Sequence, residues 1–307
     1  MNSDLAQQEQ SAVPPASPQP MQPRTGVDKF SGLRSFWTLY TLTLRQQRHG
    51  KRWIALAFLL LLPPLLAVLT RWTDPDVSGK VLEFNLAFML IPQGLLPLVA
   101  LLYASGMIQD EQEEQTITYL LIRPIAKWAI YLAKLLATLT AAVVVTVVVT
   151  SLTYAAIYTG NAHPPDILMR CLTACSVHAL AVVAYCCLFG LLGLLTRRVL
   201  IAGIIYISLV EGILANLPFA IRLITVIYYT RLITYRVLSF TVPVGGGAQN
   251  LAADSWQLNV THDPALQHYP HTWACLTILL IGSVVCSFLA ALRCANREFY
   301  VKTPDKT

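Results

Sequence analysis

Residues 135–159, LLATLTAAVVVTVVVTSLTYAAIYT, run for 25 positions without an Asp, Glu, Lys or Arg. At 1.5 Å per residue a helix of that length reaches about 37 Å, more than the roughly 30 Å of a bilayer's hydrocarbon core. Three further charge-free runs occupy 84–108, 171–196 and 272–292. Each exceeds the ~18 apolar residues that mark a spanning helix. Lipid offers backbone amides no partner, so such runs must close their hydrogen bonds internally, as helices or closed barrels. Barrel strands are short and alternate apolar with polar residues, and these runs do neither. The fold class is an all-α integral membrane protein.

The composition agrees. Of 307 residues, 55% are hydrophobic and 12% charged, where soluble domains carry about 25% charged residues; mean hydropathy is +0.57. The net charge of +6 does not point to nucleic acid, because the basic residues collect at the ends of apolar segments, as membrane topology requires. Cys171, Cys175, Cys186, Cys187, Cys275 and Cys286 lie within apolar runs and Cys294 just past the last. They read as small, polarisable packing residues. Cys171 and Cys175 share a helix face, but no His or second pair completes a metal site, so no metal and no cofactor is expected.

Working outward from these runs, residues 1–30 are rich in Gln, Pro, Ala and Ser and read as a disordered cytoplasmic tail. In 31–52, Leu33, Phe36, Trp37, Tyr40 and Leu44 recur at helical spacing, with Arg34, Thr41, Arg45 and Arg48 opposite. That pattern suits an amphipathic helix lying in the membrane interface. The transmembrane core, 53–295, divides into six spans at 53–70, 84–108, 128–159, 167–195, 199–217 and 272–292. Pro63 and Pro64 predict a kink or break in the first span, and Pro92 and Pro97 a bend in the second. The stretch 218–271 is an outer connection. Its apolar part, 223–244, is interrupted by Arg231 and Arg236, which would be costly in lipid without partners, so helical pieces at the surface or re-entrant are expected there, with a seventh span as the competitor. A polar loop is expected from Gly245 to His271, and a short cytoplasmic tail over 296–307. With both termini inside, sixteen of the 22 Lys and Arg fall on the inner side, the orientation that the positive-inside rule favours.

The segment between the second and third spans is the most motif-like. It reads Gln109-Asp110-Glu111-Gln112-Glu113-Glu114-Gln115-Thr116-Ile117-Thr118-Tyr119-Leu120-Leu121-Ile122-Arg123-Pro124-Ile125-Ala126-Lys127. Four carboxylates open it, where a helix dipole favours negative charge. Ile117, Leu120, Leu121 and Pro124 follow at intervals of three and four, a short apolar stripe. A helix too short to cross lies along the membrane with one face open to the cytoplasm.

This segment resembles the coupling-helix region of type-2, export-class ABC permeases. The family pattern runs acid, Gly-Thr-Leu, a Leu pair, Pro, a basic residue and a later Lys. Here those positions are Glu111, Thr116-Ile117, Leu120-Leu121, Pro124, Lys127 and Lys134, with Gln115 where the family commonly has Gly. The resemblance implies a permease in a bacterial inner membrane, paired with a second copy or a sister permease and driven by a separate cytoplasmic ABC ATPase. The chain itself is then not an enzyme, and it carries no G-x-x-x-x-G-K-[ST] nucleotide loop. The coupling helix would present Asp110, Glu111, Glu113, Glu114, Thr116, Ile117, Leu120, Leu121 and Pro124 to that ATPase.

Other features leave alternatives open. Glu211 reads as the only acidic residue inside a span, with Arg222 as one candidate partner, and either a pathway or a structural role fits. His178 reads as a packed, hydrogen-bonded histidine. His262, His268 and His271, with Asp254 and Asp263, fit no standard zinc spacing. Asn259-Val260-Thr261 matches a glycosylation sequon. An ion-coupled secondary transporter, or a membrane scaffold without transport, is the alternative to an ATP-driven permease.

Overall fold

The computed structural model describes residues 29–49, 52–113, 126–160, 165–196, 198–217, 220–244, 247–256 and 270–296. Among these, six helices are long and apolar enough to cross a membrane: Leu56–Thr73, Gly79–Met107, Lys127–Ile157, Ile167–Leu195, Val199–Asn216 and Thr272–Asn296, here spans 1 to 6. The all-α membrane class and the count of six follow. Six alternating crossings put the described residues 108–113, 126, 196 and 198 on one side, the termini side. The described residues 74–78, 158–160, 165–166, 220–244, 247–256 and 270–271 lie on the other, the distal side.

Span 4 is the centre of the bundle and packs against spans 2, 3 and 6, while span 3 also packs against span 1 and the N-terminal helix. The core is correspondingly aromatic and small-residue rich around Phe88, Tyr154, Tyr185 and Phe189. Spans 1, 5 and 6 turn Phe58, Trp72, Ile204 and Val284 outward, as lipid-facing helices do. Gly203 lets span 5 approach span 2 closely: a Cβ there would collide with the Leu101 side chain.

The prolines act differently in the two spans that hold them. The first helix, Arg52–Thr73, continues through Pro63 and Pro64, so the predicted break does not occur. Leu56, Leu60, Pro63 and Ala67 form its buried stripe, and packing along span 3 holds the two halves in one helix. Span 2 is π-helical over Glu83–Leu95, with Pro92 inside it, and becomes α-helical from Leu96. Wide π turns shift the hydrogen-bond ladder, which accommodates a residue without an N–H and relieves the clash of its ring.

The N-terminal helix, Lys29–His49, packs on span 3. Leu39 and Thr43 are buried, and Tyr40 and Gln47 hydrogen-bond Thr140 (3.1 Å) and Thr138 (2.8 Å). The packing face is not the aromatic stripe read from the sequence: Trp37 is 64% exposed.

The interrupted stretch after span 5 resolves into a short return helix, Val226–Val237. Its 12 residues span about 18 Å, too little to cross the hydrocarbon core. It is enclosed by spans 2, 4 and 6, with Val226 through Thr234 all buried. The expected polar loop begins instead as a β-hairpin, Thr241–Val244 with Gly247–Asn250, antiparallel and in register Thr241 to Asn250. A helix at Leu251–Trp256 follows. Phe240 and Trp256 fold back onto the π-helical half of span 2. The Phe240 ring lies 5.4 Å from that of Phe84 and 5.2 Å from that of Phe88, and Trp256 packs 5.2 Å from Phe84.

Candidate functional site

Two buried carboxylates sit on the distal half of the bundle. The first is Glu83, at the start of span 2 and fully buried. The sequence reading ended the charge-free run at Phe84 and so left Glu83 outside the span. The helix begins at Gly79, and Glu211 is therefore not the only acid within a span. Arg170 Nε, near the start of span 4, donates to both oxygens of Glu83 at 3.0 Å. Tyr154 and Tyr158, from the end of span 3 and the residue just past it, donate to Oε1 at 2.7 Å and to Oε2 at 2.8 Å. The far nitrogens of Arg170 reach the Ser239 carbonyl at 3.4 Å, and its guanidinium lies over the Phe240 ring at 5.3 Å. Burial and the adjoining Glu83 carboxylate hold the Tyr158 phenol well above its ordinary range, so it stays a donor. Spans 2, 3 and 4 and the outer connection thus converge on one carboxylate, which accepts from a cation and two phenols.

The second is Glu211, in the π-helical part of span 5, Ile207–Ile213. Its Oε1 accepts from Tyr206 at 3.0 Å and from the Val226 amide at 3.1 Å, and Oε2 accepts from the Ile227 amide at 3.1 Å. Val226 and Ile227 open the return helix. The residue before them, Thr225, makes no side-chain cap, because its hydroxyl donates to the Arg222 carbonyl. Glu211 therefore supplies from a different helix the anionic cap that a helix N-terminus favours. The Tyr185 hydroxyl, from span 4, faces the same carboxylate. Arg231, in the return helix, binds Asn216 Oδ1 at 3.0 Å, while Arg222 sits 5.3 Å over the Tyr228 ring. The structure thus brings Glu211 to the backbone of the return helix, and Arg222 to an aromatic face.

His178 is fully buried and shares a 2.9 Å hydrogen bond with Thr150, with Phe88 packed against it.

On the termini side, the helix Leu96–Glu113 continues six residues beyond Met107, the end of span 2. Asp110, Glu111 and Glu113 are part of its backbone. Glu114, Thr116, Ile117, Leu120, Leu121 and Pro124 lie outside the described residues, as do Asn259-Val260-Thr261, His262, Asp263 and His268. The root of this segment is well anchored. Lys134 is buried and donates to the Met107 carbonyl at 3.2 Å. Cys294, at the end of span 6, donates to the Lys127 carbonyl at 3.6 Å.

A family profile described as ABC-2 family transporter protein matches residues 7–298, nearly the whole chain. The chain belongs to the ABC-2 family. A comparison with curated proteins found no match. Membership makes this chain an integral membrane permease of an ABC transporter, a transport component that is not itself catalytic, and it implies an ATPase partner in general terms.

Proposed function

We propose that this permease is one half of an ATP-driven exporter, pairing with a second copy or a sister permease and coupled to a separate cytoplasmic ATPase through the segment 109–127. The observation that carries the reading is the continuation of the span 2 helix past Met107 with acidic residues on it, above a root pinned by Lys134. A rigid helical extension transmits a push on its tip into span 2, whereas a flexible loop would absorb it. ATP binding in the partner would draw the two coupling segments together and switch the pathway by rigid-body motion. On this reading the termini side is cytoplasmic, the membrane is a bacterial inner membrane, and the N-terminal helix lies in the interface. The family match and the distribution of Lys and Arg support that orientation.

The test is charge reversal. Glu111→Lys combined with Glu114→Lys is expected to abolish co-purification with the partner ABC ATPase, while membrane insertion and yield stay as in the wild type. Undiminished co-purification sinks the coupling assignment.

A further inference from the structure

Pro92 and His178 belong to different spans and meet inside the bundle. Pro92 is buried in the π-helical half of span 2, Glu83–Leu95. In such a ladder each carbonyl accepts from the amide five residues on, as the Ile91 carbonyl does from Leu96. The amide due to the Ala87 carbonyl is that of residue 92, and proline has none. At this depth no water replaces it, so the carbonyl needs a donor from another element. His178 is fully buried on span 4, eleven residues past Ile167 and so about 17 Å along that helix. Its Nδ1 lies 2.9 Å from the Thr150 hydroxyl of span 3. Thr150 is also fully buried, and its hydroxyl has no other hydrogen bond among the described residues, so its proton goes to Nδ1. A neutral imidazole that accepts at Nδ1 carries its own proton on Nε2. That nitrogen is sealed from solvent and faces the Ala87 carbonyl. The Phe88 ring, 5.8 Å away, packs against the imidazole.

We propose that His178 is a positioning residue: its Nε2–H supplies the donor that Pro92 withholds from the Ala87 carbonyl, and so holds span 2 in its π register. The bond is specific to that register. In an α-helical ladder Pro92 strands the carbonyl four residues back, that of Phe88, which lies about 100° around the helix axis from that of Ala87. A one-residue slip of the ladder turns everything beyond it by a similar angle. What lies beyond is Leu96–Glu113, the helix that carries Asp110, Glu111 and Glu113 past Met107. His178 thereby sets which way the acidic extension faces, although it stands in the opposite half of the membrane domain. Only this last consequence rests on the coupling role proposed above; the hydrogen bond and the register do not.

The test is a double-mutant cycle on the full chain in lipid nanodiscs, joined to nitrogen-15 spectra of ring-labelled histidine. His178→Phe keeps a ring and removes the donor, and is expected to lower the unfolding temperature by a few degrees and to speed hydrogen exchange over residues 88–96. Pro92→Ala returns an amide to span 2, which satisfies the Ala87 carbonyl in either register. In that background His178→Phe is therefore expected to cost no more than half as much. His178→Gln offers a side-chain N–H in place of Nε2 and should recover most of the stability and protection. The ring signals that vanish in His178→Phe should report a protonated Nε2 and a bare Nδ1. An equal cost of His178→Phe in both backgrounds overturns the proposal, as does a Gln variant no better than Phe, or a ring protonated on Nδ1. The Glu111→Lys/Glu114→Lys variant is expected to keep both the ring signature and the unfolding temperature, so failure of the coupling role and failure of this one are told apart.

Discussion

Glu83 and Glu211 are both buried on the distal half of one membrane domain, yet they are held in opposite ways. Glu83 is compensated by charge. A guanidinium meets both of its oxygens and two phenols complete the shell, with donors drawn from two other spans and the residue after one of them. Glu211 is compensated by backbone. Two amides of a 12-residue helix and one phenol from its own span hold it. The first arrangement fastens elements that already pack along their length. The second fastens one short helix by its end, and it persists only while that helix keeps its position. The difference separates a joint that holds the bundle together from one that sets where a single element sits.

The sharpest way to break this comparison is to neutralise each acid. Glu83→Gln leaves the buried Arg170 with only the exposed Asp166, 3.9 Å away, as a counter-ion, a loss approaching the ~3–5 kcal/mol of a broken buried pair. The expected outcome is a large fall in thermal stability of the purified protein and a low yield. Because the cost comes from the stranded cation, Glu83→Gln combined with Arg170→Met should recover part of it. A double variant no better than the single would show that the pairing of charges is not what stabilises this corner. Glu211→Gln strands no salt bridge. Its amide can still accept one backbone N–H but turns a donor toward the other, a cost of about 1–3 kcal/mol. The effect should be local: faster hydrogen exchange at residues 226–230 with global stability little changed. A global collapse as deep as that of Glu83→Gln would erase the distinction.

Much of this was legible beforehand, and the misses have physical causes. The spans could be read because lipid forbids charge along their exposed length. The same criterion hid Glu83, since it treats a charge as a boundary, whereas an acid can lie inside a helix if a cation arrives from elsewhere. Arg170, three residues into span 4, and Tyr154 and Tyr158, one turn apart at the end of span 3, were the available signal, but their meeting is tertiary. Glu211 is legible as an ionisable group within an apolar helix. Its partner could not be read, because backbone amides leave no mark in a sequence. The seventh-span alternative failed on length alone, at Val226–Val237. The strands Thr241–Val244 and Gly247–Asn250 fall where the sequence reading ends its apolar stretch and begins a polar loop. The coupling segment was read most fully from sequence and lies largely outside the described residues, so biochemical tests bear on it most directly.

The smallest effect discriminates most finely, because it removes the same chemical group from both sites. Tyr154 and Tyr206 each donate a phenol hydroxyl to a buried glutamate, at 2.7 and 3.0 Å. Tyr→Phe deletes only that donor and keeps the rings, of which Tyr154 stacks on Tyr158 and Tyr206 meets Phe189 edge to face. At Glu83 the lost donor serves an ionised acceptor that is sealed from water, and hydrogen bonds to charged groups contribute about 1.5–3 kcal/mol. At Glu211 the same oxygen keeps the Val226 amide, and Tyr206 is only half-buried, so the loss should fall to about 0.5–1.5 kcal/mol. Thermal unfolding of the two single variants measures the ratio. If Tyr206→Phe costs as much as Tyr154→Phe, the return helix does not share the load at Glu211, and its amides are bystanders to a phenol–carboxylate pair rather than the chief donors to it.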